Sequence, residues 1–217
     1  MNHWQDIRQT LPTEVQLVAV SKYHTAEQTG EVYAEGCRDF GESRVQELRD
    51  KQNILPNDIR WHFIGHLQTN KVRDLLRLRP YLIHSVDSLH LLRAIDTEAS
   101  KQGIVQDVLL ELHVAREQSK SGFTPEEYED VLHAISSQGI VSRNVRIRGV
   151  MAMATNTDDE QEIRRCFRNA RALFERMTST LTTGDTHMVL SMGMSDDYLI
   201  AIDEGSNMVR IGSAIFD

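Results

Sequence analysis

The chain has 217 residues, 40% hydrophobic and 26% charged, which is the composition of a soluble globular protein able to bury one full core. Its formal net charge of −8 argues against nucleic acid as a partner, because phosphate backbones are met by clustered Lys and Arg. No apolar run approaches the ~20 residues of a membrane span, and residues 1–6 lack the charged-then-apolar order of a secretory signal.

In chain order, a helix is expected over residues 2–10, followed by eight short apolar runs that read as strands. They cover residues 15–21 (VQLVAVS), 39–42, 60–66 (RWHFIGH), 81–87 (YLIHSVD), 105–114, 145–153, 187–192 and 207–216. Most are separated by segments with helical starts. Thr25 with Gln28, Thr124 with Glu127 and Thr157 with Glu160 each have capping-box spacing, and Pro125 suits a first helical position. Cys37 and Cys166 fall in helical stretches and read as reduced, packed thiols in the cytoplasm. Ile163, Cys166, Phe167, Ala170, Phe174 and Met177 mark one apolar helix stripe. Arg143, Arg146 and Arg148 read as a solvated strand edge.

Strands alternating with helices imply a parallel sheet. Eight such units suggest a (β/α)8 TIM barrel, with residues 1–217 as one domain. The chain is expected to end on its eighth strand, with the N-terminal helix covering the gap left by a missing last helix. An open doubly wound sheet is the alternative, although no G-x-G-x-x-G follows the first strand to support a dinucleotide site.

Function in a parallel barrel gathers at the C-terminal strand ends. Those ends carry Ser21-Lys22, Gly41-Glu42-Ser43, Gly65-His66, residues 85–88 and 151–155, Ser191 to Ser195, and Arg210 to Ser213. Lys22 closes an apolar strand, where partial desolvation favours the neutral, nucleophilic amine; a lysine there can equally cap the strand and reach water. Ser191, Ser195, Gly212 and Ser213 lie after the last two strands, the usual phosphate cradle of this fold. A helix starting near Ser195 would aim amides at the same place, and Ser195 as a simple cap is the competing reading. His62 and His66 are placed on one strand face with Ile64, without the spacing of a zinc pair. No Ser-His-Asp or Cys-His arrangement is supported.

VAVSK at Val18 to Lys22, FGES-x-VQEL at Phe40 to Leu48, WHFIGHLQTNKV at Trp61 to Val72 and HSVDS at His84 to Ser88 carry a resemblance. So do SKSGF at Ser119 to Phe123, GVMAMAT at Gly149 to Thr155, LSMGMSDD at Leu190 to Asp197 and GSNMVRIGSAIF at Gly205 to Phe216. In this order they closely resemble the YggS/PROSC family of pyridoxal-phosphate-binding proteins. The resemblance implies a fold-type III barrel, like the N-terminal domain of alanine racemase, with pyridoxal 5′-phosphate (PLP) as a Schiff base on Lys22. It implies Arg210 at the pyridine nitrogen, and Ser191, Ser195, Gly212 and Ser213 at the phosphate. Ser43 and His66, from the strand-end rim, complete the expected cofactor contacts. Many members have FGEN where this chain has FGES, which puts a direct bond from Ser43 to the ring hydroxyl in doubt; Ser43 with Gln46 also has capping-box spacing.

The function implied is PLP homeostasis: binding, buffering and delivering the cofactor to PLP-dependent apo-enzymes, without strong catalytic turnover; a monomer without a metal site is expected from the residues themselves. A racemase is the rival. It requires a tyrosine from a second domain, for which the chain is expected to have no residues. A barrel binding another phosphorylated metabolite, with Lys22 as the pairing cation, is a third reading. Lys71 and Lys120 are alternative acceptor lysines, or ordinary surface lysines.

Overall fold

Leu17 to Val20 form a continuous apolar run in the first strand, β1 (Gln16–Val20), which is hydrogen-bonded on both sides, as such a run suits. This computed structural model describes residues 3–117, 121–138, 144–181 and 188–217. The other strands are β2 (Asp39–Glu42), β3 (Arg60–Phe63), β4 (Leu82–Val86), β5 (Gln106–Leu112), β6 (Val145–Ala152), β7 (Val189–Ser191) and β8 (Met208–Ile211). All pair in parallel with their sequence neighbours, and β8 closes onto β1. The closed barrel excludes the open doubly wound sheet.

The helices are α1 (Trp4–Thr10), α2 (Ala26–Ala34), α3 (Val45–Gln52), α4 (Val72–Arg77), α5 (Leu89–Gln102), α6 (Pro125–Gln138), α7 (Glu160–Thr180), α8 (Tyr198–Asp203) and α9 (Ser213–Phe216). The Thr25/Gln28 box is fully formed at α2. At α6 the Thr124 hydroxyl accepts from Glu127 N at 3.3 Å, and Thr124 N donates to the Glu127 carboxylate at 2.9 Å. The third expected box does not form. Asp159 caps α7 instead, accepting from the amides of Gln161 and Glu162, so the helix starts two residues later than Thr157 suggests. The Ser43/Gln46 box is likewise absent: α3 begins at Val45, Arg44 holds the cap position, and Gln46 bonds Asp50.

Contrary to expectation, a helical turn, α9, follows β8; α1 meets it where His3 N donates to Ile215 O at 3.0 Å. His187 and Arg143 lie outside the described residues.

Alternation along the strands separates two apolar layers. Leu17 and Ala19 face outward into the large cluster shared with the helices, which includes Ile163, Cys166, Phe167 and Ala170 of the α7 stripe. Val18, Leu82, Leu109, Met151 and Met208 form a separate small cluster that fills part of the lumen. The remaining lumen is polar: Asp39, His62, His84, Glu111, Ser191 and Arg210 are all buried.

The β5–β6 register shifts by one residue, Val108 facing Ile147 and Leu109 facing Gly149, which leaves Arg148 as a bulge. Gly149 takes φ +147, and a Cβ there would lie 1.8 Å from the Val189 carbonyl oxygen. Only glycine lets β6 and β7 approach this closely.

Candidate functional site at the C-terminal mouth of the barrel

Lys22, Ser195, Arg210, Gly212 and Ser213 line one cavity of about 380 Å³ beyond the ends of β1, β7 and β8. Val20, Ile64, Met151, Met153 and Met194 give it apolar walls. Lys22 follows fully buried Ser21 and is itself half-buried. The next residue, Tyr23, has φ +70, a region that a bulky residue rarely enters. His24 stacks on Phe216 with ring centroids 4.3 Å apart, tying the loop after β1 to α9 at the cavity edge.

Ser195 is not a helix cap. The helix after it, α8, starts at Tyr198, and Asp197 holds its cap position. The Ser195 Oγ instead gathers donors from the loop after β8: Gly212 N and Ala214 N, each at 3.4 Å, and the Ser213 hydroxyl at 3.0 Å. Two amides and two hydroxyls thus converge at one corner of the cavity, the donor set of a phosphate site.

Arg210 enters the cavity wall from within the lumen. Its Nη1 donates to Ser191 O at 2.9 Å and Ser191 Oγ at 2.6 Å, and its Nη2 to Ala152 O at 3.1 Å. Burial lowers its pKa to about 10 against the favourable charges of Asp197 and Glu111, so it stays a cation and a pure donor at neutral pH. Glu111, on β5, is pushed up to about 7 by burial and by Asp87, with Arg210 opposing.

Three expected contacts are placed elsewhere. Ser191 is fully buried beneath Arg210, with its hydroxyl 3.3 Å from His84 Nδ1; it orients the guanidinium rather than lining the cavity. Ser43 and His66 line a neighbouring hollow with Arg49 and Lys71. His66 does not share the strand of His62. The strand ends at Phe63, because Gly65 must run against the Ser43 backbone, where a Cβ would lie 2.1 Å from the carbonyl oxygen. His66 is exposed there, its Nδ1 3.2 Å from Asp87. Lys120 lies outside the described residues. Among the described residues no cluster of metal-ligating side chains occurs, and no helix is long and apolar enough to cross a membrane.

Three features of the neighbourhood carry no local sequence signal. Lys51 of α3 is buried, ion-paired with Glu42, and donates to Ser21 O at 2.7 Å. Tyr23 and His24 frame the cavity. His62 and His84, 2.9 Å apart, meet inside the lumen. Polar residues at inward strand positions were the available clue to the last pair.

A closed parallel barrel with a lysine at β1 and a donor corner after β7 and β8 defines the class: the family profile "Alanine racemase, N-terminal domain" matches residues 1–217. Alanine racemase from Bartonella henselae shares the fold at TM-score 0.75 and 15% identity, over 97% of this chain and 58% of that one. Within that class the relatives are more specific. The pyridoxal phosphate homeostasis protein of Helicobacter pylori strain 26695 is 39% identical over 203 residues, covering 93% of this chain and 87% of the relative. That of Escherichia coli K12 is 35% identical over 209 residues, covering 94% and 86%. PipY of Synechococcus elongatus, in a structure with PLP bound, has a TM-score of 0.86 and 34% identity over 98% of this chain and 97% of that one. The chain belongs to the pyridoxal phosphate homeostasis protein family.

Proposed function

We propose that this protein holds PLP as a Schiff base on Lys22 and serves in PLP homeostasis, buffering and delivering the cofactor without strong catalytic turnover. The observation that carries the reading is the meeting, in one cavity, of the Lys22 amine with the donor corner of Ser195, Gly212, Ser213 and Ala214. The residues fit the group. An amine awaits an aldehyde, hydroxyls and amides await a phosphate, and Ile64, Met151 and Met153 offer apolar surface to a ring.

Lys22 condenses with the aldehyde, a C=N bond replacing C=O with release of one water. Arg210 is assigned to the ring nitrogen. As a permanent donor it leaves that nitrogen an unprotonated acceptor, and PLP so held supplies a reversible carbonyl but a weak electron sink. That favours storage over racemisation. The homeostasis names of the relatives and the PLP bound to PipY support the reading. A monomer in the cytoplasm that passes PLP to apo-enzymes belongs to the same reading, and buried, free Cys37 and Cys166 suit a reducing compartment.

The test is the visible spectrum of the purified protein with added PLP, joined to borohydride trapping and intact mass, for wild type and Lys22→Ala. A visible band and a reduced pyridoxyl adduct in the wild type, both lost in the variant, are expected. A wild type that neither colours nor traps overturns the assignment and leaves a generic phosphate-binding barrel.

A further inference from the structure

We propose that His62 and His84 are positioning residues for Arg210, coupled to it by a continuous chain of hydrogen bonds that crosses the barrel lumen to Asp39. The proposal rests on the reading above in one respect only, that Arg210 faces bound PLP.

The chain has four links. Asp39 Oδ1 lies 3.1 Å from His62 Nε2, and His62 Nδ1 lies 2.9 Å from His84 Nε2. His84 Nδ1 lies 3.3 Å from Ser191 Oγ, to which Arg210 Nη1 donates at 2.6 Å. Asp39 opens β2, at the end of the barrel opposite the cavity, whereas Arg210 stands near the end of β8.

The two ends set the direction of the outer links. Arginine only donates, and an ionised carboxylate only accepts. Burial alone would raise the Asp39 carboxyl, but Arg60 and His62 hold it at about 2, so it is ionised at neutral pH. His62 Nε2 therefore donates to Asp39, and its Nδ1 shares one hydrogen with His84 Nε2. His84, being neutral, carries one ring hydrogen, so whichever nitrogen donates the other accepts, and its links to His62 and to Ser191 run in the same sense. The Ser191 oxygen accepts from Arg210. Burial first, then His62 and Arg210, keep the His84 imidazole neutral, as this coupling requires. Reversing one inner link alone sets two hydrogens or two lone pairs face to face, so the two inner links can only reverse together.

The consequence lies in the guanidinium. Both Nη1 hydrogens are engaged by Ser191 and one Nη2 hydrogen by Ala152 O, which leaves the other Nη2 hydrogen and the Nε hydrogen for a ligand. Satisfying buried polar groups does not by itself explain the arrangement, since the same lumen is filled elsewhere by Val18, Leu82 and Met208. The chain fixes which donors of Arg210 face the cavity.

The test uses the full-length protein as wild type, Ser191→Ala, His84→Leu, their double variant, and Asp39→Asn. PLP affinity and the position of the visible band are read in titrations, and ring ¹⁵N NMR is read without PLP. Ser191→Ala and His84→Leu are each expected to weaken PLP binding about tenfold, with the double variant no weaker than either. Asp39→Asn is expected to move the band from the far end of the barrel. Multiplicative losses in the double variant, or folded variants with unmoved band and affinity, overturn the proposal. Should His84→Leu fail to fold, Ser191→Ala and Asp39→Asn decide it. A wild type that forms no band fails the Lys22 reading; the NMR arm still decides this one. A His84 ring carrying a single hydrogen, whose Nδ1 signal moves in Ser191→Ala, supports the chain; a doubly protonated His84 ring, or one whose Nδ1 signal is unmoved in Ser191→Ala, overturns it.

Discussion

Lys51 and Glu42 form a buried ion pair directly behind the lysine of the site. Lys51 Nζ also donates to Ser21 O at 2.7 Å, and the Ser21 hydroxyl donates to the same Glu42 oxygen at 2.6 Å. Three elements, β1, β2 and α3, are thereby fastened one residue before Lys22. Burial pushes the Glu42 carboxyl up, and Lys51 and Ser21 draw it back. Its second oxygen, Oε2, is buried without a hydrogen-bond partner, so the pair leaves little margin for loss of the cation.

Lys51→Met is accordingly expected to cost about 3–5 kcal/mol, because a buried carboxylate loses its counter-charge. Lys51→Met combined with Glu42→Leu should recover much of the loss, since an apolar pair removes the charge as well as its partner. Urea midpoints of the two variants check this. A double variant as unstable as the single one would mean that packing of the lysine stem, not charge, is what the site requires.

Glu111 makes stability fall as pH rises. Its carboxyl is raised from the ordinary 4.5 to about 7 in the folded chain. Between these values the folded state keeps a proton that the unfolded state has released, so folding weakens from pH 4.5 to 7, and the full penalty stands above 7. Glu111→Gln should therefore stabilise the protein at pH 8 by up to about 3 kcal/mol, with little effect at pH 4.5. Denaturant titrations at both pH values check the sign.

Asp39 acts in the opposite sense. Held at about 2 against an ordinary 3.8, it contributes stability that is present above pH 3.8 and lost as pH falls through 2. The contribution is about 2 kcal/mol. Asp39→Asn should lower stability at neutral pH and flatten the acid limb of a stability-against-pH curve between pH 4 and 2.

The strand ends were legible because barrel chemistry follows directly from apolar runs and their termini. Lys22, Ser195, Arg210, Gly212 and Ser213 all came from that rule, and all five line one cavity. Local signals misled where a neighbouring backbone prevailed. At Gly65 the close approach of the Ser43 carbonyl ends β3 early and turns His66 out to solvent. Ser43 itself gave way as a cap because α3 begins one residue beyond Arg44. The pairings inside the lumen were not legible from any local motif, although polar residues at inward strand positions marked it as polar. His84 and Ser191 are 107 residues apart, and Lys51 and Ser21 are 30 apart; such pairs depend on barrel closure and register, not on any motif.

Ser195→Ala separates the phosphate corner from the anchoring lysine. The Ser195 hydroxyl stands where Gly212 N, Ala214 N and Ser213 Oγ converge, and none of its bonds reaches Lys22. Removing it deletes one phosphate donor and loosens the loop that presents the others, while the amine remains in place. PLP affinity is expected to fall about tenfold, the scale of one charge-assisted hydrogen bond. Pyridoxal, which lacks the phosphate, should bind the variant and the wild type equally, and inorganic phosphate should compete less well against PLP in the variant. Equal losses for PLP and pyridoxal would show that Ser195 shapes the cavity as a whole and that the phosphate is held elsewhere on the rim.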